Sequence, residues 1–495
     1  MTTIRTLLTE IEGNYFREYE NLDQEITDLE YFSGHLKKHH DYSSTIFVCI
    51  TPGRRNYINR KPVKWLDGNE QIAGRENEFG LIVTEHPITD ETVQVPQFIV
   101  PNSWEFLLNL SAKLRADFTK PVIAITGSAG KTSTRMMISH LFKEKKVLEN
   151  RGNHNVRFAV PLYMSKLLTD PEVFNLEVSV NALNSYDTGS MSKLIEPDIA
   201  LVTSIGEAHL SSLKDTKGVA IHKAKIFEGL KKGGTAIINK DMGREEFTIL
   251  VDGARKREAK IYTYSLQDSL ADVYVKHWQQ KREYCELVIS FLGEEMAVNL
   301  TVSSAGMISN ALATLLVVHE VEGTIKPYLR KFETFRPLHK ILEKSSITIA
   351  PQKKVTFIDD THNASLPAMR NAIGYFNDVR PYYLGKSFLI LGQIADLGDA
   401  AKSVHLAIKK DMEDADADYI FGYGEQFKEI FALEQQNDPK FHWFATLKEL
   451  SNQLEALLSD DSLILAKGSV TGSDFQQIDQ YIRSLGRNFN SQKVH

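Results

Sequence analysis

The run Ile125-Thr126-Gly127-Ser128-Ala129-Gly130-Lys131-Thr132-Ser133 constrains this chain more than any other segment. It continues the apolar stretch Val122 to Thr126, which reads as a strand, and it opens a helical pattern that runs through Phe142. A strand that turns through glycines into a helix belongs to a βα unit of a parallel sheet. Gly127 and Gly130 let the backbone bend so that successive N–H groups point at one anion. The helix N-terminus adds partial positive charge at the same place. Lys131 can reach the terminal phosphates of a nucleotide, and the Thr132 hydroxyl can ligate a magnesium ion. Gly127, Ser128, Ala129, Gly130, Lys131, Thr132 and Ser133 are therefore the expected ATP-binding residues. The spacing is the short GxxGKT, because Ile125 stands where the full phosphate-loop pattern has its first glycine.

The rest of the chain fits an α/β protein of three domains. Its 495 residues suggest about three units at roughly 100–200 residues each. A small α/β N-terminal domain is expected over 1–119, with strands at Ile46 to Ile50, Gly80 to Thr84 and Gln97 to Val100 and a helix at Trp104 to Arg115. A central, P-loop ATPase-like doubly wound sheet is expected over 120–333, including strands Ile199 to Thr203 and Thr235 to Asn239. A C-terminal Rossmann-like domain is expected over 334–495, with strands at Val355 to Ile358, Ser387 to Leu391, Tyr419 to Gly422 and Leu463 to Ala466. The net charge of -6 leaves no basic excess for nucleic acid. Ser303, Ser304, Ser309 and Asn310 interrupt the apolar stretch Thr301 to Val318, which reads as a buried helix and not as a membrane span. The two cysteines, Cys49 and Cys285, make neither a disulfide framework nor a zinc spacing. With no signal-peptide pattern after Met1, the expected location is cytoplasmic.

Further segments follow in a fixed order. They are Gly152-Asn153-His154-Asn155 with Pro161, Glu177 at the end of an apolar run, and Ile205-Gly206-Glu207-Ala208-His209-Leu210. Lys223 then lies three residues before Ile226-Phe227, and Ala236-Ile237-Ile238-Asn239-Lys240-Asp241 follows. Ile358-Asp359-Asp360-Thr361-His362-Asn363-Ala364, Leu391-Gly392-Gln393-Ile394-Ala395-Asp396-Leu397-Gly398 and Ala466-Lys467-Gly468-Ser469 complete the series. Together with the glycine loop they resemble the Mur ligase family over nearly the whole chain. The C-terminal segments resemble the branch that adds D-alanyl-D-alanine to a UDP-muramoyl tripeptide in peptidoglycan synthesis.

The resemblance implies an ATP-dependent ligase, in which a carboxylate becomes an acyl phosphate and an amine then displaces phosphate. It implies that Lys131 meets the phosphates and that Thr132 and Glu177 hold magnesium. His209 and a carbamylated Lys223 would help hold a second ion. Lys225 lies two residues further on, and the spacing to Ile226-Phe227 favours Lys223. Asn310 would contact the adenine and Asp359 the ribose. Arg336 would reach the phosphates from the hinge. Lys467 and the Asp360 to Asn363 turn would shape the amine pocket. Partners would be a small-molecule carboxylate acceptor and an amine or dipeptide donor; the sequence does not fix the oligomeric state, and a monomer is the expectation.

Some positions depart from the family pattern. Tyr42 to Val48 lacks the Ser-Arg pair that helps hold the UDP-sugar, and Ser365-Leu366, Gly306-Met307 and Asp396 are also unlike it. Two alternatives follow: a Mur-like ligase acting on a carboxylate outside peptidoglycan, and a nucleotide-binding regulator without catalysis. Retention of Lys131, Thr132, Glu177, His209 and Lys223 together argues against the second.

Overall fold

The computed structural model describes residues 2–152, 154–206, 213–395, 397–469 and 473–492. Three sheets form, each from one continuous stretch of chain. Strands β1 (Asn14–Tyr15), β2 (Asp28–Glu30), β3 (Thr45–Val48), β4 (Leu81–Thr84) and β5 (Gln97–Ile99) make the first, in the order β1-β5-β4-β3-β2. All neighbours in it are parallel except β1, which runs antiparallel to β5.

The second sheet contains β6 (Val122–Thr126), β7 (Val147–Glu149), β8 (Val173–Glu177), β9 (Ile199–Val202), β10 (Thr235–Asn239), β11 (Lys260–Ser265), β12 (Val273–Gln280), β13 (Cys285–Phe291) and β14 (Glu294–Leu300). Its order is β14-β13-β12-β11-β10-β9-β6-β8-β7. The chain leaves β6 to build one side through β7 and β8, then returns across it to start β9 on the other side. The connection therefore reverses direction at β6, and a crevice opens beyond the carboxyl ends of the strands where it does so. The glycine loop leaves β6 at that point. The β12–β14 segment adds an antiparallel extension to the far edge.

Alternation along β6 ties the sheet to both neighbours. Val122 and Ala124 pack in a core with Phe98, Trp104 and Leu110 of the N-terminal part. Ile123 and Ile125 face the opposite core, with Ile308 and Leu312 of the helix Ala305–Glu322. Ser304 caps that helix, and it is buried on every side from Met307 to Val318. No helix among the described residues is long and apolar enough to cross a membrane.

The third sheet orders β15 (Glu343–Ala350), β16 (Lys353–Asp360), β17 (Ser387–Gly392), β18 (Tyr419–Tyr423), β19 (Phe441–Phe444) and β20 (Ser462–Lys467) as β15-β16-β20-β17-β18-β19. All of its pairs are parallel except β15 with β16. The carboxyl ends of β16 and β20 bring Asp360 and Lys467 side by side in register.

Candidate active site

The loop after β6 needs glycine at two places. A Cβ on Gly127 would lie 1.9 Å from Thr203 Oγ1, at the end of β9. Gly130 has φ +84°, and a Cβ there would lie 2.5 Å from Asn310 Oδ1. Ser204 braces the bend: its carbonyl accepts from Ser128 N–H (2.9 Å) and its hydroxyl accepts from Ala129 N–H (2.9 Å). Gly130 caps the helix Lys131–Leu141, whose first-turn amides have no intrahelical acceptors. Lys131 Nζ folds back onto Gly127 O at 2.8 Å. Gly130→Ala is expected to destabilise the protein by about 1–3 kcal/mol from backbone strain and to weaken ATP binding by displacing Asn310. Thermal unfolding and calorimetric ATP titration check both effects.

Glu177 ends β8 facing this loop. Thr132 Oγ1 donates to its Oε2 (2.8 Å) and Asn155 Nδ2 donates to its Oε1 (2.8 Å). Asn150 fixes the strand end, accepting from Glu177 N–H (2.8 Å) and donating to Glu177 O (2.9 Å). Close to Lys131, Lys223 closes the helix Thr216–Lys223 and is 1% exposed. No carboxylate among the described residues pairs with its ammonium. Burial, with Lys131 nearby adding repulsion, holds its pKa well below the ordinary lysine value. Lys131 is held low for the first of these reasons, partly offset by Glu177.

These groups line one cavity of about 660 Å³ together with Asn310, Asp360, His362, Asn363 and Lys467 from the opposite side. Lys467 Nζ pairs with Asp360 Oδ2 (2.9 Å) and donates to Asn363 O (2.7 Å). Burial raises the Asp360 carboxyl above its usual range even with Lys467 beside it. Asn371, which drew no notice in the sequence, joins the two sides. Its Oδ1 accepts from Gly306 N–H (2.8 Å) and its Nδ2 donates to Ser304 Oγ (3.1 Å). A side chain at Gly306 would crowd it, since a Cβ would lie 3.0 Å from Asn371 Oδ1. The glycine at this departure from the family pattern thus lets the helix Leu366–Val379 approach the helix Ala305–Glu322.

Two residues singled out from sequence are placed elsewhere. Asp359 is turned away from the cavity, because neighbouring strand residues face opposite sides. It is fully buried, and its Oδ1 accepts from Thr361 N–H (3.1 Å) and Thr361 Oγ1 (2.6 Å). Asp360 is the carboxylate that faces the site. Arg336 lines a separate cavity at the hinge, where it donates to Thr301 Oγ1 (3.2 Å) and Phe335 O (2.8 Å). His209 lies outside the described residues. Gly127, although its turn shapes the loop, does not itself line the cavity.

Comparison with known families gives two matches. The Mur ligase middle domain matches residues 125–318, and the Mur ligase, glutamate ligase domain matches residues 347–470. Together they span well over half of the chain. The chain belongs to the Mur ligase family. This Mur ligase is 28% identical over 357 residues to a Bacillus subtilis protein named UDP-N-acetylmuramoyl-tripeptide–D-alanyl-D-alanine ligase, covering 70% of this chain and 73% of that one. It is 24% identical over 412 residues to the Escherichia coli protein of the same name, covering 83% and 86%. Its fold matches a crystal structure of MurF from Acinetobacter baumannii with TM-score 0.78 at 22% identity, covering 98% of each chain. It also matches a Thermotoga maritima MurF ligase in complex with ADP, with TM-score 0.73 at 18% identity, covering 93% of this chain and 98% of that one.

Proposed function

We propose that this Mur ligase uses ATP to join D-alanyl-D-alanine to the peptide carboxylate of a UDP-muramoyl tripeptide, in the cytoplasm. The observation that carries the reading is one cavity shared by two domains. The glycine loop, Glu177 and Lys223 line it from one side, and Asp360, His362 and Lys467 from the other. Curated relatives named for this reaction support the choice of substrates.

The chemistry required is amide formation from a carboxylate, which is a poor electrophile until phosphorylated. Several anions must come together, so the barrier is largely electrostatic. The open amides after Gly130 and the Lys131 ammonium would receive the phosphates. Thr132 and Glu177 converge on one point with hard oxygen donors and suit magnesium, which would hold down the negative charge of the reacting groups when bound. His209 and Lys223 would serve a second such ion. The depressed pKa of Lys223 favours its neutral amine, the form that adds carbon dioxide to give a carbamate and a proton. That reaction converts a buried cation into an anionic oxygen ligand. Asn310, packed against Gly130, would contact the adenine, and Asp360 rather than Asp359 is placed to meet the ribose. Arg336 would reach the phosphates only after movement at the hinge.

A second reading, the same chemistry on a carboxylate outside peptidoglycan, is favoured by one observation, the missing Ser-Arg pair in Tyr42 to Val48. Incubation with ATP, magnesium, a UDP-muramoyl tripeptide and D-alanyl-D-alanine separates the two. The product mass should equal the tripeptide plus the dipeptide less water, with ADP and phosphate released. Phosphate release that ignores this acceptor and requires a different carboxylate would support the second reading.

A further inference from the structure

The amine that attacks an acyl phosphate arrives in water as an ammonium, which has no lone pair to donate. A base in the cavity has to remove a proton before the C–N bond forms. Among the described residues the carboxylates lining the cavity are already engaged. Glu177 accepts from Thr132 and Asn155, and Asp360 is paired with Lys467 and accepts from Leu342 N–H at 3.2 Å. Asp241 accepts from Ser265 Oγ and from Leu266 N–H. His362 is the histidine that lines the cavity among the described residues, and its imidazole makes no hydrogen bond to another of them. Its backbone N–H is anchored to Lys340 O at 2.9 Å in the turn after β16, and His362 lines the same cavity as Lys131 and Lys223.

We propose that His362 is the general base that takes a proton from the incoming amine. This rests on the ligase reading above. The imidazole takes one proton from the ammonium, and the freed lone pair attacks the acyl carbon. The C–O bond to phosphate then breaks as the C–N bond is completed. The second nitrogen proton leaves with the departing phosphate. Burial, then Lys467 and His339, lowers the proton affinity of His362, and Glu177 raises it. Asp360 is paired with Lys467, and the Lys340 ammonium is drawn to Asp479 (3.1 Å). The ring is therefore neutral, and able to accept a proton, at neutral pH.

The test compares two amines on the full-length protein. D-alanyl-D-alanine is protonated at neutral pH, whereas hydroxylamine is largely neutral and needs no base. His362→Gln is expected to lower turnover with the dipeptide about 100-fold and to leave hydroxamate formation nearly unchanged. Wild-type turnover with the dipeptide should level off once the imidazole is neutral. The variant should keep rising with pH until the amine itself deprotonates. In the wild type alone, the loss of rate at acid pH should be far steeper with the dipeptide than with hydroxylamine. This arm holds even if the variant folds poorly. Equal losses with both amines, or matching pH profiles in the wild type, overturn the proposal. No phosphate release from the wild type with either amine overturns the ligase reading and this one with it.

Discussion

Lys131→Ala is expected to lower acceptor-dependent phosphate release by about 1,000-fold, the scale lost when one charge-stabilising group is removed from a reacting site. The thermal unfolding temperature should hold. Among the described residues Lys131 makes one side-chain hydrogen bond, to Gly127 O, and burial works against its charge. Its removal gives up a contact worth roughly 1 kcal/mol and relieves the burial of a charge. An ammonium kept in place against its own desolvation is what the proposed binding of a polyphosphate would use. Calorimetric ATP titration alongside the rate assay separates weakened binding from lost chemistry. Normal turnover in this variant would remove the phosphate loop from the account.

Lys223→Ala carries an expectation of similar size, about 100- to 1,000-fold loss, with a distinct signature. Short carboxylic acids added to the variant should restore part of the activity, because they return a carboxylate to the place the carbamate would occupy. The sign of the pH effect follows from the depressed pKa. An ordinary lysine is protonated below about 10.5, but burial keeps Lys223 neutral to well below that value. The free amine that the proposed carbamate requires is thereby available at lower pH than in an ordinary lysine. As pH falls through the depressed value, protonation withdraws the free amine and activity should fall with it. Added bicarbonate should move the loss to lower pH in the wild type and do nothing for Lys223→Ala. Full activity in the variant without any rescue would eliminate the carbamate.

Much of the scaffold was legible because its strands are short, apolar and parallel. β6 and β10 fall at the bounds read from sequence, Val122–Thr126 and Thr235–Asn239. The glycine loop was legible for the same reason that it works: glycine is the residue that tolerates both the Thr203 and the Asn310 approach. The antiparallel extension β12–β14 was not. Residues Lys276 to Gln279 of β12 are exposed, so the apolar signal of a buried strand is missing there.

Two site residues show where local pattern stops. Asp359-Asp360 marks a strand end, but which carboxylate enters the cavity depends on the phase of β16 against β20, a tertiary property. Arg336 was read as meeting the phosphates, yet its direction is set by Thr301, 35 positions away in the chain. Asn371 gave no signal at all, because its partners at Ser304 and Gly306 lie more than sixty positions away, at separations of 67 and 65.

Oxygen transfer tests the central claim most directly, that the cavity activates a carboxylate by phosphorylation. The acceptor carboxylate is labelled with heavy oxygen, turnover is run with ATP and the dipeptide, and the released phosphate is examined by mass. Activation as an acyl phosphate predicts that the released phosphate carries a labelled oxygen, because the bond broken on amide formation leaves that atom on phosphorus. Unlabelled phosphate from a reaction that still forms the amide would contradict it.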